Sequence, residues 1–176
     1  MKKVKSGYLL IIVMVLVVLS GCTGKDMEQE TETKKTSADL YIGYDSIGYK
    51  TYAVELEGEM SPEKLITAIE DLTGWDLSLH DEVSQGKGGM TVNFAKDSAL
   101  ITGPPTEQKE EFRVYDVTTF TKMVLDSIKE TLQNSYVTEE GNPDELAIFY
   151  SVEDHNIEID GIEISMETPW NSENFK

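Results

Sequence analysis

The sequence predicts an α+β domain, in which an antiparallel or mixed sheet is covered by two helices. Two amphipathic helical segments interrupt short segments rich in β-branched and aromatic residues, in the order ββα, ββ, α, ββ. Strands that come in pairs between helices favour this class over a regular alternation of strand and helix. We expect residues 39–176 to form this domain, a length that buries about two-thirds of its surface.

The folded part is predicted to open with a hairpin. Residues 40–42 and 51–56 contain the tyrosines and β-branched side chains typical of strands. Residues 43–48 begin and end with glycine, which indicates a turn between the two strands.

A helix is predicted to follow the hairpin. Ser61 is suited to cap its N-terminus, Pro62 to occupy its first position, and Glu63 to face the positive end of its dipole. Apolar residues then recur at helical spacing, at Leu65, Ile66, Ile69 and Leu72. Gly74 is placed to end the helix in a left-handed conformation.

The middle of the chain contains residues 75–79, a glycine-rich stretch at 85–89 and a strand at 90–94, where apolar and polar residues alternate. A second short apolar run, residues 99–101, ends before Gly103 and two prolines.

The last third of the chain predicts a second helix and two strands. Apolar residues recur at helical spacing from Val117 to Leu132, with Asp116 or Thr118 as the cap. Strands are predicted at residues 147–152 and 157–166, with a bulge or tight turn at Asp160-Gly161. We expect Trp170, in the tail, to fold back on the domain.

The N-terminus resembles a bacterial lipoprotein signal. Three lysines precede an apolar run over residues 8–19, which is shorter than the roughly 20 residues of a membrane-spanning helix. The following Leu19-Ser20-Gly21-Cys22 resembles a lipobox, and Cys22 is the only cysteine. The resemblance implies cleavage between Gly21 and Cys22, and a diacylglyceryl anchor on Cys22 at the outer face of the cell membrane. An ordinary secretory signal or a short uncleaved anchor also fits the apolar run, but neither accounts for the small residues before Cys22.

Residues 23–38 are polar and lack an apolar period, which predicts a disordered tether after the lipidated cysteine. The formal net charge is −18, and removal of residues 1–21, with three lysines and no acid, makes it −21. Such a charge argues against nucleic-acid binding and against lying flat on an anionic membrane. A cationic partner remains open.

Several segments together resemble the GerM-type (GerMN) domain of sporulation and germination lipoproteins. They are the opening strand DLYIG at 39–43, its partner strand YAV at 52–54, the helix start SPEKLI at 61–66, the strand MTVNFAK at 90–96, the ETL of the second helix at 130–132 and the late strand IFYSV at 148–152. The resemblance implies a non-catalytic binding or assembly module that self-associates or binds an envelope protein. Asn93 replaces the aspartate usual in that family, the proline-containing end of the second helix is missing, and residues 102–111 form a long insertion.

No catalytic, metal or cofactor motif is evident. Residues 86–89 lack the helix that a phosphate-binding loop requires, which favours a hairpin connection. His80 and His155 lie in acid-rich turns without the spacing of paired metal ligands, and we interpret both as exposed turn residues.

A cluster of tyrosines around the first hairpin is the candidate interaction surface. Tyr41, Tyr44, Tyr49 and Tyr52 either present an aromatic face to a partner protein or glycan, or fill the core and cover the sheet edge. Two other functions stay open, a cell-wall enzyme using paired acids such as Asp81 and Glu82, and a subunit that senses a glycan or small ligand.

Overall fold

The computed structural model describes residues 34–44, 48–137 and 141–174. Within them the α+β class is confirmed, and they belong to one compact unit. The described strands are β1 Lys35–Tyr44, β2 Gly48–Glu57, β3 Ser84–Gly86, β4 Gly89–Phe94, β5 Ala147–Val152, β6 Ile157–Ile159 and β7 Ile162–Ile164. The described α-helices are α1 Pro62–Thr73, α2 Ala99–Thr102 and α3 Val117–Tyr136. Short 3₁₀ turns cover Glu110–Phe112, Pro143–Glu145 and Ser172–Asn174.

The predicted hairpin is confirmed, but its first strand begins earlier than expected. β1 and β2 pair antiparallel from Lys35 opposite Glu57 to Tyr44 opposite Gly48. Residues 35–38, which the sequence assigned to the tether, are therefore part of the sheet. Lys35 and Ser37 are exposed, whereas Thr36 is half-buried and Ala38 is buried, so the alternation of a half-buried strand continues through these residues.

Helix α1 has the predicted ends. The Ser61 side chain accepts a hydrogen bond from the Lys64 backbone N–H at 3.3 Å, and Pro62 opens the helix. Gly74 follows it with φ 76°, and its N–H donates to the Glu70 carbonyl at 2.7 Å.

The central sheet is mixed, in the order β3-β4-β5. β3 and β4 form an antiparallel hairpin across residues 86–89, which confirms a hairpin connection there. β4 and β5 are parallel, with Gly89 opposite Ala147 and Phe94 opposite Val152. Residues 75–79 contribute one isolated bridge, from Leu79 to Phe94, and the run at 99–101 forms α2.

Helix α3 lies along the edge of β1 that β2 leaves open. Thr131 and Ser127 accept hydrogen bonds from the backbone N–H groups of Tyr41 and Gly43, at 3.0 and 2.9 Å. These two hydroxyls replace the partners that another strand would supply, so the helix protects the sheet edge. Between the helices and strands lies a core whose largest fully buried side chains are Trp75, Tyr150, Phe94 and Phe120.

The C-terminal region makes a small hairpin and a return segment. The strand predicted at 157–166 is split into β6 and β7 by a tight turn, with Asp160 at φ 49° and Gly161 at φ 81°. Trp170 is 6% exposed and its ring meets Tyr150 edge-on at 6.1 Å, which confirms that the tail folds back. In the part of the chain that is described, no helix has the length and apolar character needed to cross a membrane.

Candidate functional site

A cleft lies at the end of the β1–β2 hairpin. Its volume is about 490 Å³, and it is lined by Tyr44, Gly48, Tyr49, Lys50, Glu110 and Glu111. Two smaller clefts, of about 170 and 190 Å³, are also lined by Tyr44. We call this group of three the hairpin cleft.

The wall of the hairpin cleft is fixed to the core through Phe112. Phe112 is buried, its ring meets that of Tyr52 edge-on at 5.5 Å, and its carbonyl accepts a hydrogen bond from Trp75 Nε1 at 3.4 Å. The insertion at 102–111 therefore ends against the protein core, and its last residues form one side of the cleft.

The four predicted tyrosines occupy two faces of the hairpin. The pairing register places Tyr44 and Tyr52 on the face that carries buried Leu40, and Tyr41 and Tyr49 on the opposite face. At the end of the hairpin one tyrosine from each face, Tyr44 and Tyr49, lines the same cleft. These two residues are 55% and 43% exposed.

Tyr52 belongs to a polar cluster on the cleft wall. Its hydroxyl donates a hydrogen bond to Glu111 Oε1 at 2.7 Å, and Lys50 forms an ion pair with the same oxygen. Lys50 Nζ also lies 5.1 Å from the centre of the Tyr52 ring. Hydrogen bonds from Lys50 and Tyr52 lower the pKa of Glu111. The ion pair is exposed and adds little stability, but it orients the charged groups at the rim.

Tyr49 faces a second acidic group on α3. The partial burial of Tyr49 raises its pKa, and the charges of Asp126 and Glu130 raise it further. Burial also raises the pKa of Asp126, although Trp170 Nε1 donates to its Oδ1 at 2.7 Å. A tyrosine hydroxyl is protonated at neutral pH in any case, and these effects keep it so, which lets Tyr49 act as a hydrogen-bond donor in the cleft.

A separate cluster joins residues from two distant turns. His80, Asp81 and Asp154 are exposed, and one ligand atom from each lies within 4.8 Å of those of the others. They sit where the parallel strands β4 and β5 end, since Asn93 near the end of β4 donates to both Asp81 and Asp154. Asp154 could not be identified as a neighbour of His80 and Asp81 from sequence spacing. It lies beside them because β4 and β5 pair in parallel.

The other residues considered from the sequence are placed elsewhere. His155 lies with its Nδ1 2.6 Å from the Glu153 carbonyl, outside the His80 cluster. Asp81 is grouped with Asp154, and its sequence neighbour Glu82 does not join them. The predicted cleavage site at Gly21 and the predicted anchor at Cys22 lie outside the described residues.

Comparison of the chain with protein-family models, with curated proteins and with solved structures found no match. The resemblance to the GerM-type domain therefore stays a prediction.

Proposed function

We propose that the protein is a lipid-anchored, non-catalytic binding module on the outer face of the cell membrane, which holds an envelope protein in the hairpin cleft. The observation that carries this proposal is the pair of exposed tyrosines, Tyr44 and Tyr49, at a cleft of about 490 Å³. The anchor is proposed from the lipobox-like residues that end at Cys22.

The residues of the hairpin cleft suit protein recognition. Tyrosine offers a large apolar ring together with a hydroxyl, and it is enriched in protein interfaces for that reason. The wall is held by Phe112 in the core, so little ordering would be required on binding. The clefts are lined by three acids and three bases, which suits a partner with charged groups of both signs at its rim: Glu110, Glu111, Asp126, Lys50, Arg113 and Lys122.

The GerM-type resemblance is consistent with this role. It implies modules that assemble in the cell envelope, either with copies of themselves or with other proteins. Under this proposal the partner is a second copy or another envelope protein, and the same crosslinking experiment distinguishes them by the mass of the product.

The cleft is tested by site-specific photocrosslinking in cells that produce the full-length chain. A benzophenone amino acid replaces Tyr44 in one strain and Ile101 in a control strain, since Ile101 on α2 is 40% exposed and lines none of the three clefts. We expect a discrete adduct from position 44 and none from position 101. Equal adducts at both positions, or none at position 44, would contradict the assignment of the cleft.

The anchor is tested separately with Cys22→Ser. The wild-type chain is expected in the membrane fraction and to incorporate labelled palmitate, because diacylation holds a protein firmly to a bilayer. The variant should lose the label and accumulate as unprocessed precursor. Unchanged labelling and processing would exclude lipidation at Cys22 and leave the cleft proposal standing.

A further inference from the structure

We propose that His80, Asp81 and Asp154 form a binding site for a divalent transition-metal ion such as Zn²⁺ or Mn²⁺. The site lies in a region distinct from the hairpin cleft and does not depend on the proposed binding role. It is assembled from the turn after residue 79 and the turn after β5, which the sheet brings together.

The distances fit a single ion after a small adjustment. One ligand atom from each residue lies within 4.8 Å of the other two. Ligands at about 2.0–2.2 Å from a tetrahedral zinc ion are about 3.3–3.6 Å apart. The exposed side chains therefore need to close by up to about 1.5 Å, which rotation about their own side-chain bonds supplies.

A buried amide directs both carboxylates to the same place. Asn93 is 4% exposed, and its Nδ2 donates to Asp154 Oδ1 at 3.0 Å and to Asp81 Oδ2 at 3.4 Å. Its Oδ1 accepts from the Ser151 hydroxyl at 3.0 Å and from the Asp154 backbone N–H at 3.2 Å, which fixes the orientation of the amide. Outer partners of this kind commonly orient metal-binding carboxylates.

Within the described ranges, neither Asp81 nor Asp154 forms an ion pair with a lysine or arginine. Among the described residues, the ion pairs of lysine involve other acids, and the nearest in sequence joins Lys96 to Glu153 at 3.5 Å. A divalent ion would neutralise both carboxylates at once, and binding therefore relieves their mutual repulsion.

The ligand types select the class of ion. Imidazole suits zinc and other transition metals, whereas Ca²⁺ and Mg²⁺ prefer oxygen ligands throughout. Three protein ligands leave at least one position open for water, so exchangeable binding is expected instead of a closed structural site.

The test follows both histidines in one spectrum. The chain contains two histidines. In imidazole ¹H–¹⁵N correlation spectra, the signals of His80 report on the proposed site and those of His155 serve as an internal control. The full-length chain is titrated with Zn²⁺ in detergent, with Cys22→Ser in every sample to remove its only thiol. We expect saturable shifts of the His80 nitrogens, reversed by EDTA, with His155 shifted much less. Equal shifts of both histidines, or no shift, would overturn the proposal.

Affinity for Mn²⁺, measured by electron paramagnetic resonance, is compared in two matched variants. Asp154→Asn should weaken binding at least tenfold, whereas Glu158→Gln removes the same charge from an exposed residue of β6 and should change it less than twofold. His80→Gln serves as a second variant at an exposed position, with an expected loss of the same size. Equal losses in the Asp154 and Glu158 variants would show that Mn²⁺ responds only to net charge.

Discussion

Gly74 ends α1 at a position where a side chain meets two separate obstacles. Its φ of 76° lies in the left-handed region, which disfavours residues with a Cβ. A Cβ at this position would also lie 2.8 Å from the Glu107 carbonyl oxygen. The sequence predicted the first constraint from the position of the glycine after an apolar helix, but the second depends on where the insertion at 102–111 returns.

Gly74→Ala is expected to destabilise the domain by about 2–4 kcal/mol, because backbone strain and a backbone clash add. Gly161→Ala is the matched control, since Gly161 has φ 81° and, apart from its two chain neighbours, no described residue has an atom within 4 Å of its Cβ position. That control should lose about 1–2 kcal/mol from strain alone. Urea denaturation measures the free energy of unfolding of both variants. Equal losses would mean that the backbone at Glu107 moves away from the new Cβ at no energetic cost.

Asp126 gives a pH-dependent prediction. Burial raises its pKa in the folded state above the ordinary value of 3.8, so folding favours its protonated form. Its stabilising contribution is complete below pH 3.8 and is lost as pH rises through the folded pKa. Asp126→Asn stays neutral and keeps an oxygen that accepts from Trp170 Nε1.

The variant should therefore gain stability relative to the wild type as pH rises from below 3.8 to 7, and the difference should level off above the folded pKa. Urea midpoints at several pH values give this difference. If the wild type instead becomes more stable relative to the variant as pH rises, the hydrogen bond from Trp170 to the charged carboxylate outweighs the cost of burying that charge.

At the scale of elements, the contact between α3 and the edge of β1 depends on individual hydroxyls. Thr131 and Thr121 are both fully buried on α3. Thr131 accepts from the Tyr41 N–H at 3.0 Å, whereas the Thr121 hydroxyl has no hydrogen-bond partner among the described residues. The two threonines are a natural matched pair.

Thr131→Val should cost about 1–3 kcal/mol, because it leaves a backbone N–H of β1 without its partner. Thr121→Val should be neutral or stabilising by up to about 1 kcal/mol, because it removes a buried hydroxyl that makes no such bond. Thermal denaturation of the two variants provides the comparison. If both lose the same stability, the shape of the threonine side chain matters and the hydrogen bond does not.

Local signals explain which elements could be predicted. The caps at Ser61 and Gly74 and the alternation in 90–94 depend only on near neighbours, and the structure confirms α1 and β4. The run at 99–101 is too short to show a period, and in the structure it is a single helical turn whose start is capped by the Ser98 side chain. Parallel pairing of β4 with β5 depends on the path of the long connection between them, which no local pattern records.

The same reasoning applies to the candidate sites. Clustering of the tyrosines in the first hairpin was visible in the sequence, but the division of Tyr44 and Tyr49 between two faces follows from the pairing register. The grouping of Asp81 with Asp154 required the parallel pair, because the two residues follow strands that are distant in sequence.

At the scale of the whole molecule, a formal charge of −18 acts against the compact state. Raising sodium chloride from 20 to 500 mM should increase the melting temperature by a few degrees, because salt screens repulsion among the acids. Potassium chloride should produce the same rise, since screening depends on ionic strength. A fall in melting temperature would indicate that attractive pairs outweigh the net repulsion.

The N-terminal boundary of the domain gives the last prediction. β1 begins at Lys35, and the Thr36 hydroxyl donates to the Gly58 carbonyl at 2.6 Å, while the Gly58 N–H donates to the Lys34 carbonyl at 2.6 Å. A chain that begins at Asp39 loses these bonds and the pairing of residues 35–38 with 54–57. It should be about 1–3 kcal/mol less stable than a chain that begins at Lys34.

Lys35→Gln in the longer chain is the control for this truncation. It removes only the exposed ion pair with Glu55, at 2.7 Å, and should cost less than about 1 kcal/mol. Urea denaturation of the three chains separates loss of strand pairing from loss of one charge. Equal stability of the chains that begin at Lys34 and Asp39 would mean that residues 34–38 contribute nothing to folding, and the tether would then extend to Ala38 as the sequence predicted. A loss of stability only in the chain that begins at Asp39 would place the start of the folded domain at β1. Backbone hydrogen bonds would then hold residues 35–38 in the sheet although their composition is that of a tether.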